Sequence, residues 1–205
     1  MKRSIQLLSI NLVLILIGMS FKPDRHPELE IGAPIPQTDY KMMDVNGKFV
    51  SLAEIKGVNG LLVIFAGNTC PYVKLSEERI KEMALLAKTN KIGVIIVNSN
   101  EAQRDADDSY DEMKKYAQLQ AYDFNYVLDK NSQLADAFSA SHTPECFLFD
   151  SKGLVYRGAI DDNVKDINDA KEHYLKDALI AVGKNNPVKI NSTKSIGCSI
   201  KRLDD

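Results

Sequence analysis

The sequence predicts an α/β protein, a three-layer α/β/α sandwich with a mixed central sheet and an N-terminal β-hairpin. Two continuous apolar runs, Leu61–Ala66 and Ile92–Val97, are typical of central strands that are covered on both faces. A stretch with helical spacing lies between them, so these two strands are predicted to be parallel. A later pair of strands is joined by Ser151-Lys152-Gly153, which predicts an antiparallel hairpin.

The chain has 205 residues, of which 44% are apolar, and a formal net charge of −2. This composition fits one globular domain with a sizeable core. No basic stripe stands out, so no nucleic acid partner is expected. The three histidines, His26, His142 and His173, have no metal-ligand spacing. No metal and no other cofactor is therefore expected.

The first twenty residues differ in character from the rest. Lys2 and Arg3 precede the apolar stretch Ile5–Met19, and Gly18 and Ser20 supply the small residues that a signal peptidase requires. The apolar stretch is short for a full membrane span. Residues 1–20 are therefore interpreted as a cleaved signal peptide of an exported, periplasmic or extracytoplasmic protein. The alternative is an uncleaved anchor, and only then would the protein contact a membrane.

The first half of the remaining chain contains a linker, a hairpin and a long helix. Residues 21–36 hold four prolines and little periodicity, which indicates a linker. Tyr40–Val45 and Lys48–Leu52 flank Asn46-Gly47, a strong hairpin signal. A helix is predicted from Pro71, because a proline in the first turn costs no hydrogen bond. Its predicted core-facing residues are Val73, Ile80, Met83, Ala84 and Ala87.

The second half continues the alternation of strands and helices. The stretch Asn98–Ser109 is interpreted as a surface insertion, and Asp105–Glu112 as a solvated face, because both are strongly polar. The next predicted elements are a helix at Tyr110–Leu119, a strand at Asn125–Leu128, a short helix at Gln133–Phe138, strands at Glu145–Asp150 and Leu154–Ile160, and a helix with its apolar face at Leu175, Ala178, Leu179 and Val182. The domain is predicted to span residues 37–183, and residues 184–205 form a polar tail.

Cys70 lies directly after the first buried strand and at the start of the long helix. Free N–H groups and the helix dipole stabilise a thiolate at such a position, and the thiolate is the nucleophile in disulfide exchange. The alternative is that Cys70 only packs as a small apolar residue. A dithiol motif would need a second cysteine at Val73. The total of three cysteines is odd, so at least one has no partner within the chain.

Several segments together resemble a known family. FAGNTCPYVK after a strand resembles the active-site turn of the thioredoxin fold, with Cys70 as the attacking cysteine. The hairpin region resembles the start of the redoxin branch, which includes alkyl hydroperoxide reductase and thiol-specific antioxidant proteins. CPYVK, IVNSN, YVLDKNSQLADAF, TPECFLFD, LVYRGAIDD and GCSIK are similar, in this order, to segments of a bacterial redoxin family. The resemblance covers roughly Ile31 to Lys201.

This resemblance implies a thioredoxin-like fold and a thiol-dependent oxidoreductase with antioxidant activity, either peroxiredoxin-like or disulfide reductase-like. It would act in cell redox homeostasis on a disulfide or a hydroperoxide, with an unidentified thiol as reductant. Thr143 and Pro144 match the cis-proline that faces the active-site cysteine. Cys198 in the tail has the placement of a resolving cysteine. A free tail thiol and an intermolecular bridge are the alternatives for Cys198, and Cys146 is interpreted as structural.

The departures from the family pattern weaken some of these expectations. Many relatives carry a cysteine where this chain has Gly67, so neither side of Cys70 offers a CxxC pair. Peroxiredoxins carry a hydroxyl residue at the position of Gly67, which makes efficient peroxide reduction less expected. The side chain of Thr69 is adjacent to the sulfur, but the local geometry can direct it elsewhere. Thioredoxins carry a buried acid at the position of Ile64.

Other polar residues are weaker candidates. Arg157 is considered as a cation beside the thiolate, with a solvated strand charge as the alternative. His142 is considered as a group that approaches the site from the proline loop, and Asp161-Asp162 as a turn. A second hypothesis for the whole protein is a non-catalytic binding module of thioredoxin fold, which would dock a partner in the groove beside Cys70 and Pro144.

Overall fold

The computed structural model describes residues 27–203. The strands are β1 (Met42–Asp44), β2 (Phe49–Val50), β3 (Gly60–Phe65), β4 (Ile92–Asn98), β5 (Asn125–Leu128), β6 (His142–Thr143), β7 (Glu145–Phe149), β8 (Leu154–Gly158) and β9 (Cys198–Ser199). The α-helices are α1 (Leu52–Ile55), α2 (Pro71–Thr89), α3 (Tyr110–Leu119), α4 (Gln133–Phe138) and α5 (Tyr174–Gly183). The predicted signal peptide, residues 1–20, lies outside the described residues. Among the described helices, none has the length and apolar character needed to cross a membrane.

The central sheet is mixed, as predicted. Its seven strands follow the order β2-β1-β5-β4-β3-β7-β8. Strands β3 and β4 are parallel, and the β7–β8 hairpin is antiparallel, both as expected from the sequence. Three of these strands and α-helices were not predicted. They are the short helix α1 and the strands β6 and β9, which form a separate two-stranded sheet.

Helices cover both faces of the sheet and complete the three layers. Alternate residues of β3 face opposite sides. Leu62 and Ile64 pack into one apolar cluster with α2 and α5, while Leu61, Val63 and Phe65 pack into another with α4. All five predicted core-facing residues of α2 are buried. Cys70 follows β3 directly, so the central strand and the first turn of α2 determine its position.

The prediction that Asn98–Ser109 is a surface insertion holds for Ala102 and residues 105–107, which are exposed, and is wrong for both ends of the stretch. Asn98, Asn100 and Asp108 are 0%, 3% and 0% exposed, and the solvated face predicted for 105–112 is therefore wrong at Asp108. Polar side chains can be buried when they satisfy one another by hydrogen bonds. Here the carboxylate of Asp108 accepts from the side-chain amides of Asn98, at 2.7 Å, and Asn100, at 2.9 Å.

The described part of the predicted linker and the predicted tail both pack on the domain. The amide of Gly32 donates to the carbonyl of Leu154, and the amide of Leu154 donates to the carbonyl of Ala33, each at 2.8 Å. Leu29 packs against the core. In the tail, Ile200 is buried next to β9. These segments lack periodicity because single apolar residues and isolated backbone hydrogen bonds hold them.

Candidate active site

Cys70 occupies the junction between β3 and α2 as the N-cap residue of that helix. Pro71 takes the first helical position, where its missing N–H removes no intrahelical bond. The carbonyl of Cys70 accepts the amide of Lys74 at 3.1 Å and so begins the helix. The side chain itself is only 3% exposed. The predicted location of Cys70 is confirmed, and the sulfur is enclosed by the fold.

Cys198 lies directly beside Cys70. The two Sγ atoms are 2.9 Å apart, although 128 positions separate the residues in sequence. A disulfide bond is about 2.05 Å long, and both residues are free thiols here. Strand β9 makes this contact possible because it pairs antiparallel with β6, with Thr143 opposite Cys198. The structure therefore brings together the two thiols that the resemblance singled out.

Thr143 and Pro144 form the loop that faces the thiols. The peptide bond between them is cis, as the resemblance implied. The carbonyl oxygen of Thr143 lies 3.0 Å from Cys70 Sγ and accepts from the protonated thiol. The hydroxyl Oγ1 of Thr143 is buried and has no hydrogen-bond partner among the described residues while Cys70 is protonated, and it can donate to the sulfur once Cys70 is ionised. All four predicted site residues thus lie in one cluster.

The two thiols have different acidities. Burial acts to raise the pKa of Cys70, but hydrogen bonds to the thiolate from the Cys198 thiol, from the side-chain hydroxyl of Thr143 and from the amide of Val73 outweigh it, so the pKa is lowered. Burial raises the pKa of Cys198 to about 11, and the hydrogen bond to Cys70 and its negative charge add to this effect. In the singly ionised pair, Cys70 is therefore the thiolate and Cys198 the S–H donor.

A buried polar network holds the loop that precedes Cys70. The amide of Asn68 donates to Asp108 Oδ1 at 2.8 Å, and the hydroxyl of Tyr126 donates to Asn68 Oδ1 at 2.6 Å. Sequence reasoning missed Asp108 and Asn100 as supporting residues of the site. The available signal for Asn100 was its position just past the carboxyl end of β4, the strand next to β3, whereas Asp108 lies shortly before α3 and carried no such signal.

The same network explains the small residue at position 67. A Cβ atom on Gly67 would lie 2.3 Å from Nδ2 of Asn100, so any larger side chain must displace that amide. The hydroxyl of Thr69 lies 3.2 Å from Gln103 Oε1 and 3.4 Å from Asp108 Oδ2. It is therefore directed into the network and not toward the sulfur.

Ile64 is buried, and a different acid enters the core nearby. Glu77 on α2 is largely buried, and its Oε2 accepts the hydroxyl of Tyr116 at 2.8 Å. Burial raises the pKa of Glu77, against hydrogen bonds from Tyr122 and Tyr116 that lower it. Sequence reasoning missed this residue, although Glu77 shares the helical spacing of Val73 and Ile80.

The weaker candidates have other partners. The guanidinium of Arg157 forms an ion pair with Glu28, and it is not among the groups that lower the pKa of Cys70. The ring of His142 lies 2.8 Å from the hydroxyl of Ser141. Asp161 does more than form a turn, because both its carboxylate oxygens accept from the buried Arg79 at 2.7 and 2.9 Å.

Cys146 is a residue of the apolar core. It is fully buried in β7, where it is paired with Ile64 of β3. Burial raises the pKa of its thiol. Both observations agree with the structural role expected for it. Within the described residues, no cluster of His, Cys, Asp and Glu could hold a metal ion.

A cavity of about 230 Å³ adjoins the proline loop. Its lining includes Pro144, Ile160 and Tyr174 from the domain and Lys194 and Ile196 from the C-terminal segment. Ile196 is 54% exposed although it is a large apolar residue. The surface beside the thiols is therefore open on this side and partly apolar.

A cysteine at a strand–helix junction, facing a cis-proline loop on a mixed sheet covered by helices, defines a thiol protein of thioredoxin-like fold. The chain belongs to the redoxin family, whose model matches residues 30–174. This match includes Cys70, Thr143 and Pro144, and it ends before Cys198.

Comparisons with individual proteins agree with this family. The chain is 27% identical over 119 residues to the thiol-disulfide oxidoreductase ResA of Bacillus subtilis, which covers 58% of this chain and 62% of ResA. A hypothetical protein from Sinorhizobium meliloti 1021 is 31% identical, with a TM-score of 0.78 over 87% of this chain and 98% of that one. An uncharacterized conserved protein from Geobacillus kaustophilus is 29% identical, with a TM-score of 0.75 over 84% and 94%.

Proposed function

We propose that the protein is a thiol–disulfide oxidoreductase that uses Cys70 and Cys198 as a dithiol pair. The contact of 2.9 Å between the two sulfurs carries this proposal. This contact provides the second thiol beside Cys70 that the CPYV sequence lacks. The lowered pKa of Cys70 favours an enzyme over a binding module, since a reactive cysteine needs a stabilised thiolate. The activity named for ResA, to which the chain is similar, agrees with this choice.

The chemistry is a two-electron exchange. A substrate disulfide takes up two electrons and two protons and becomes two thiols, while Cys70 and Cys198 lose the same electrons and protons and form a disulfide. Cys70 supplies the thiolate, and Cys198 is the second, resolving sulfur. A separate thiol reductant returns the pair to the dithiol form.

Hydroperoxide reduction is the second candidate activity, and the unpartnered hydroxyl of Thr143 favours it. This hydroxyl is buried next to Cys70, where it stabilises the thiolate, and it would turn to donate to a peroxide oxygen bound beside the sulfur. It would supply the donor that Gly67 cannot. The thiolate of Cys70 would take one peroxide oxygen to form a sulfenic acid and release an alcohol, and Cys198 would then displace water to form the disulfide.

We propose further that the protein is exported to an extracytoplasmic compartment, where disulfides persist. The basic and apolar pattern of residues 1–20 supports this location. Fractionation and N-terminal sequencing of the mature chain test it. A mature chain that begins near Phe21 supports cleavage, and an intact N-terminus recovered with cytoplasm contradicts export.

Disulfide mapping tests the dithiol pair. After mild oxidation, tryptic digestion should give a linked pair of peptides, residues 57–74 with residues 195–201. Cys70→Ser should abolish the catalytic turnover of a disulfide substrate, because the Cys70–Cys198 bond can no longer form, while Cys146→Ser should retain this turnover. If Cys70→Ser consumes disulfide and peroxide as fast as the natural chain, the proposal is wrong and the binding module is favoured.

A further inference from the structure

We infer that external thiols and disulfides form their mixed disulfide with Cys198, and that Cys70 exchanges only with Cys198. The inference rests on the proposed function and adds to it the sulfur that holds the partner. It differs from the order in dithiol turns, where the cysteine at the helix N-terminus meets the substrate. Three features carry it: the attachment of the C-terminal segment, the access to each sulfur, and the chemistry of the leaving thiol.

Residues 191–202 form a strap that is attached on both sides of Cys198. Before Cys198, the amide of Arg157 donates to the carbonyl of Asn191, and the amide of Thr193 donates to the carbonyl of Arg157, each at 3.0 Å. These contacts fix the strap along β8. The hydroxyl of Thr193 also lies 2.9 Å from that of Tyr156.

After Cys198, the strap is held more firmly. The side chain of Ile200 is buried in the core, and its amide donates to the carbonyl of Ser141 at 3.0 Å. The amide of Lys201 donates to Asn100 Oδ1 at 3.0 Å. Arg202 donates to Asp136 at 2.8 Å and to the carbonyl of Ala140 at 2.7 Å. The strap is therefore packed and hydrogen-bonded to the domain on both sides of Cys198.

The strap occupies the edge on which an extended substrate would pair. Strand β9 takes the backbone of Thr143 as its partner, so this edge of β6 is already used. The approach is close, because a Cβ on Gly197 would lie 2.1 Å from the carbonyl oxygen of Thr143. With the strap in place, Cys70 is only 3% exposed. A partner as large as a peptide cannot align its sulfur with Cys70 unless the strap leaves.

Cys198 is the more exposed residue of the pair. It is partly exposed, and its neighbour Ser199 is exposed. The cavity beside Pro144 opens next to Lys194 and Ile196 of the same strap. A partner in this cavity therefore contacts the strap that carries Cys198, including the exposed apolar side chain of Ile196, whereas Cys70 is buried.

The chemistry of the disulfide favours the same sulfur. A thiolate that attacks Cys198 Sγ breaks the Cys70–Cys198 bond, forms a bond from Cys198 to the partner and expels the Cys70 thiolate. Attack at Cys70 would instead expel Cys198. The thiol of lower pKa leaves faster, and that thiol is Cys70. A second external thiol then attacks the partner sulfur, which releases a disulfide and leaves Cys198 to take a proton.

The reverse reaction uses the same intermediate. When the dithiol reduces an external disulfide, Cys198 passes its proton to the Cys70 thiolate and attacks one external sulfur. The external S–S bond breaks, and the other sulfur leaves as a thiolate that takes this proton from Cys70. The Cys70 thiolate, which is 2.9 Å away, attacks Cys198 Sγ and expels the partner as a thiol. The two thiols therefore take the opposite roles in partner exchange: Cys198 bonds to the partner, and Cys70 is the internal nucleophile that resolves the mixed disulfide.

Two single-cysteine exchanges test the inference, with oxidised glutathione as the probe. Cys70→Ser retains Cys198 and should collect the glutathione adduct on the peptide 195–201. Cys198→Ser retains a hydroxyl donor beside Cys70, and its adduct on the peptide 57–74 should form at least tenfold more slowly. Adding Ile200→Ala to Cys198→Ser should loosen the strap and restore the adduct on Cys70. Buried Cys146 must stay free of glutathione in every folded variant.

The outcomes separate the two proposals. If Cys198→Ser forms its adduct as fast as Cys70→Ser, the inference is overturned while the proposed function stands. If adding Ile200→Ala leaves Cys70 unreactive in a folded chain, the strap is not its cover, and the inference is again overturned. If oxidised glutathione produces no Cys70–Cys198 disulfide in the natural chain, the proposed function itself fails.

Discussion

At the scale of single residues, Asn100 connects the parts of the site. Its side-chain amide donates to Asp108 at 2.9 Å and lies where a larger residue at position 67 would need space. The side-chain oxygen Oδ1 of Asn100 accepts a hydrogen bond from the backbone amide of Lys201 in the strap at 3.0 Å. One side chain thus fixes both the loop before Cys70 and the segment that carries Cys198.

The first prediction concerns Gly67→Ala. The new methyl group should displace the Asn100 amide and leave buried polar groups unpaired, which lowers the free energy of unfolding by about 1–3 kcal/mol. Urea denaturation measures this loss. In an Asn100→Ala background, the same change at Gly67 should cost much less, because the clash is gone. An equal loss in both backgrounds would contradict the proposed contact.

The second prediction concerns pH. Because the pKa of Cys70 lies below its ordinary value, its thiolate should persist as the pH falls, and exchange should slow once the pH passes below that pKa. Absorbance at 240 nm against pH follows the thiolate. Cys198→Ala removes a hydrogen-bond donor and should move the midpoint to higher pH, whereas Cys146→Ala should leave it in place. An unchanged midpoint in Cys198→Ala would exclude Cys198 as the stabilising donor.

At the scale of elements, a buried ion pair ties α2 to the segment after β8. The guanidinium of Arg79 binds the carboxylate of Asp161, and the two side chains are 4% and 5% exposed. Arg79 also donates to the carbonyls of Asn163 at 2.7 Å and Val164 at 2.8 Å. The helix that begins at Cys70 is thereby fixed to the wall of the cavity beside Pro144.

The third prediction tests this attachment. Asp161→Ala leaves the charge of Arg79 buried without its partner and should lower the free energy of unfolding by about 3–5 kcal/mol. Glu82→Ala is the matched control, because its ion pair with Lys176 is exposed and should be worth at most about 1 kcal/mol. Chemical denaturation compares the two variants. Similar small losses would show that Arg79 is satisfied by the carbonyls alone.

The elements also show which parts of the fold can be predicted from the sequence. Strands β3 and β4 and helix α2 were predictable because each buries several apolar residues at a regular spacing. Strands β6 and β9 were not predictable, because a strand of two residues is too short to show a periodic pattern of apolar residues. The burial of Asn98 and Asp108 was equally hidden, since it depends on Asn68 and Tyr126, which approach only in the folded chain. Cys198 was singled out by resemblance and not by any local pattern.

At the scale of the whole molecule, the thiol pair joins the start of α2 to the C-terminal segment. The fourth prediction is that oxidation of this pair raises the free energy of unfolding by about 2–4 kcal/mol, because the bond closes a long loop in the unfolded chain. Urea denaturation of the oxidised and reduced forms measures the difference, and Cys198→Ser should show none. A less stable oxidised form would mean that the bond distorts the site.

The distance in sequence between the two thiols also has a consequence for biosynthesis. Cys198 leaves the ribosome 128 residues after Cys70, a delay of roughly 10 s at ordinary rates of translation. During that time the strap does not yet exist and Cys70 is uncovered. Cys146 is made within the same interval, so the nascent chain offers Cys70 a wrong partner before the right one. Early burial of Cys146 in β7 would remove that partner before Cys198 arrives.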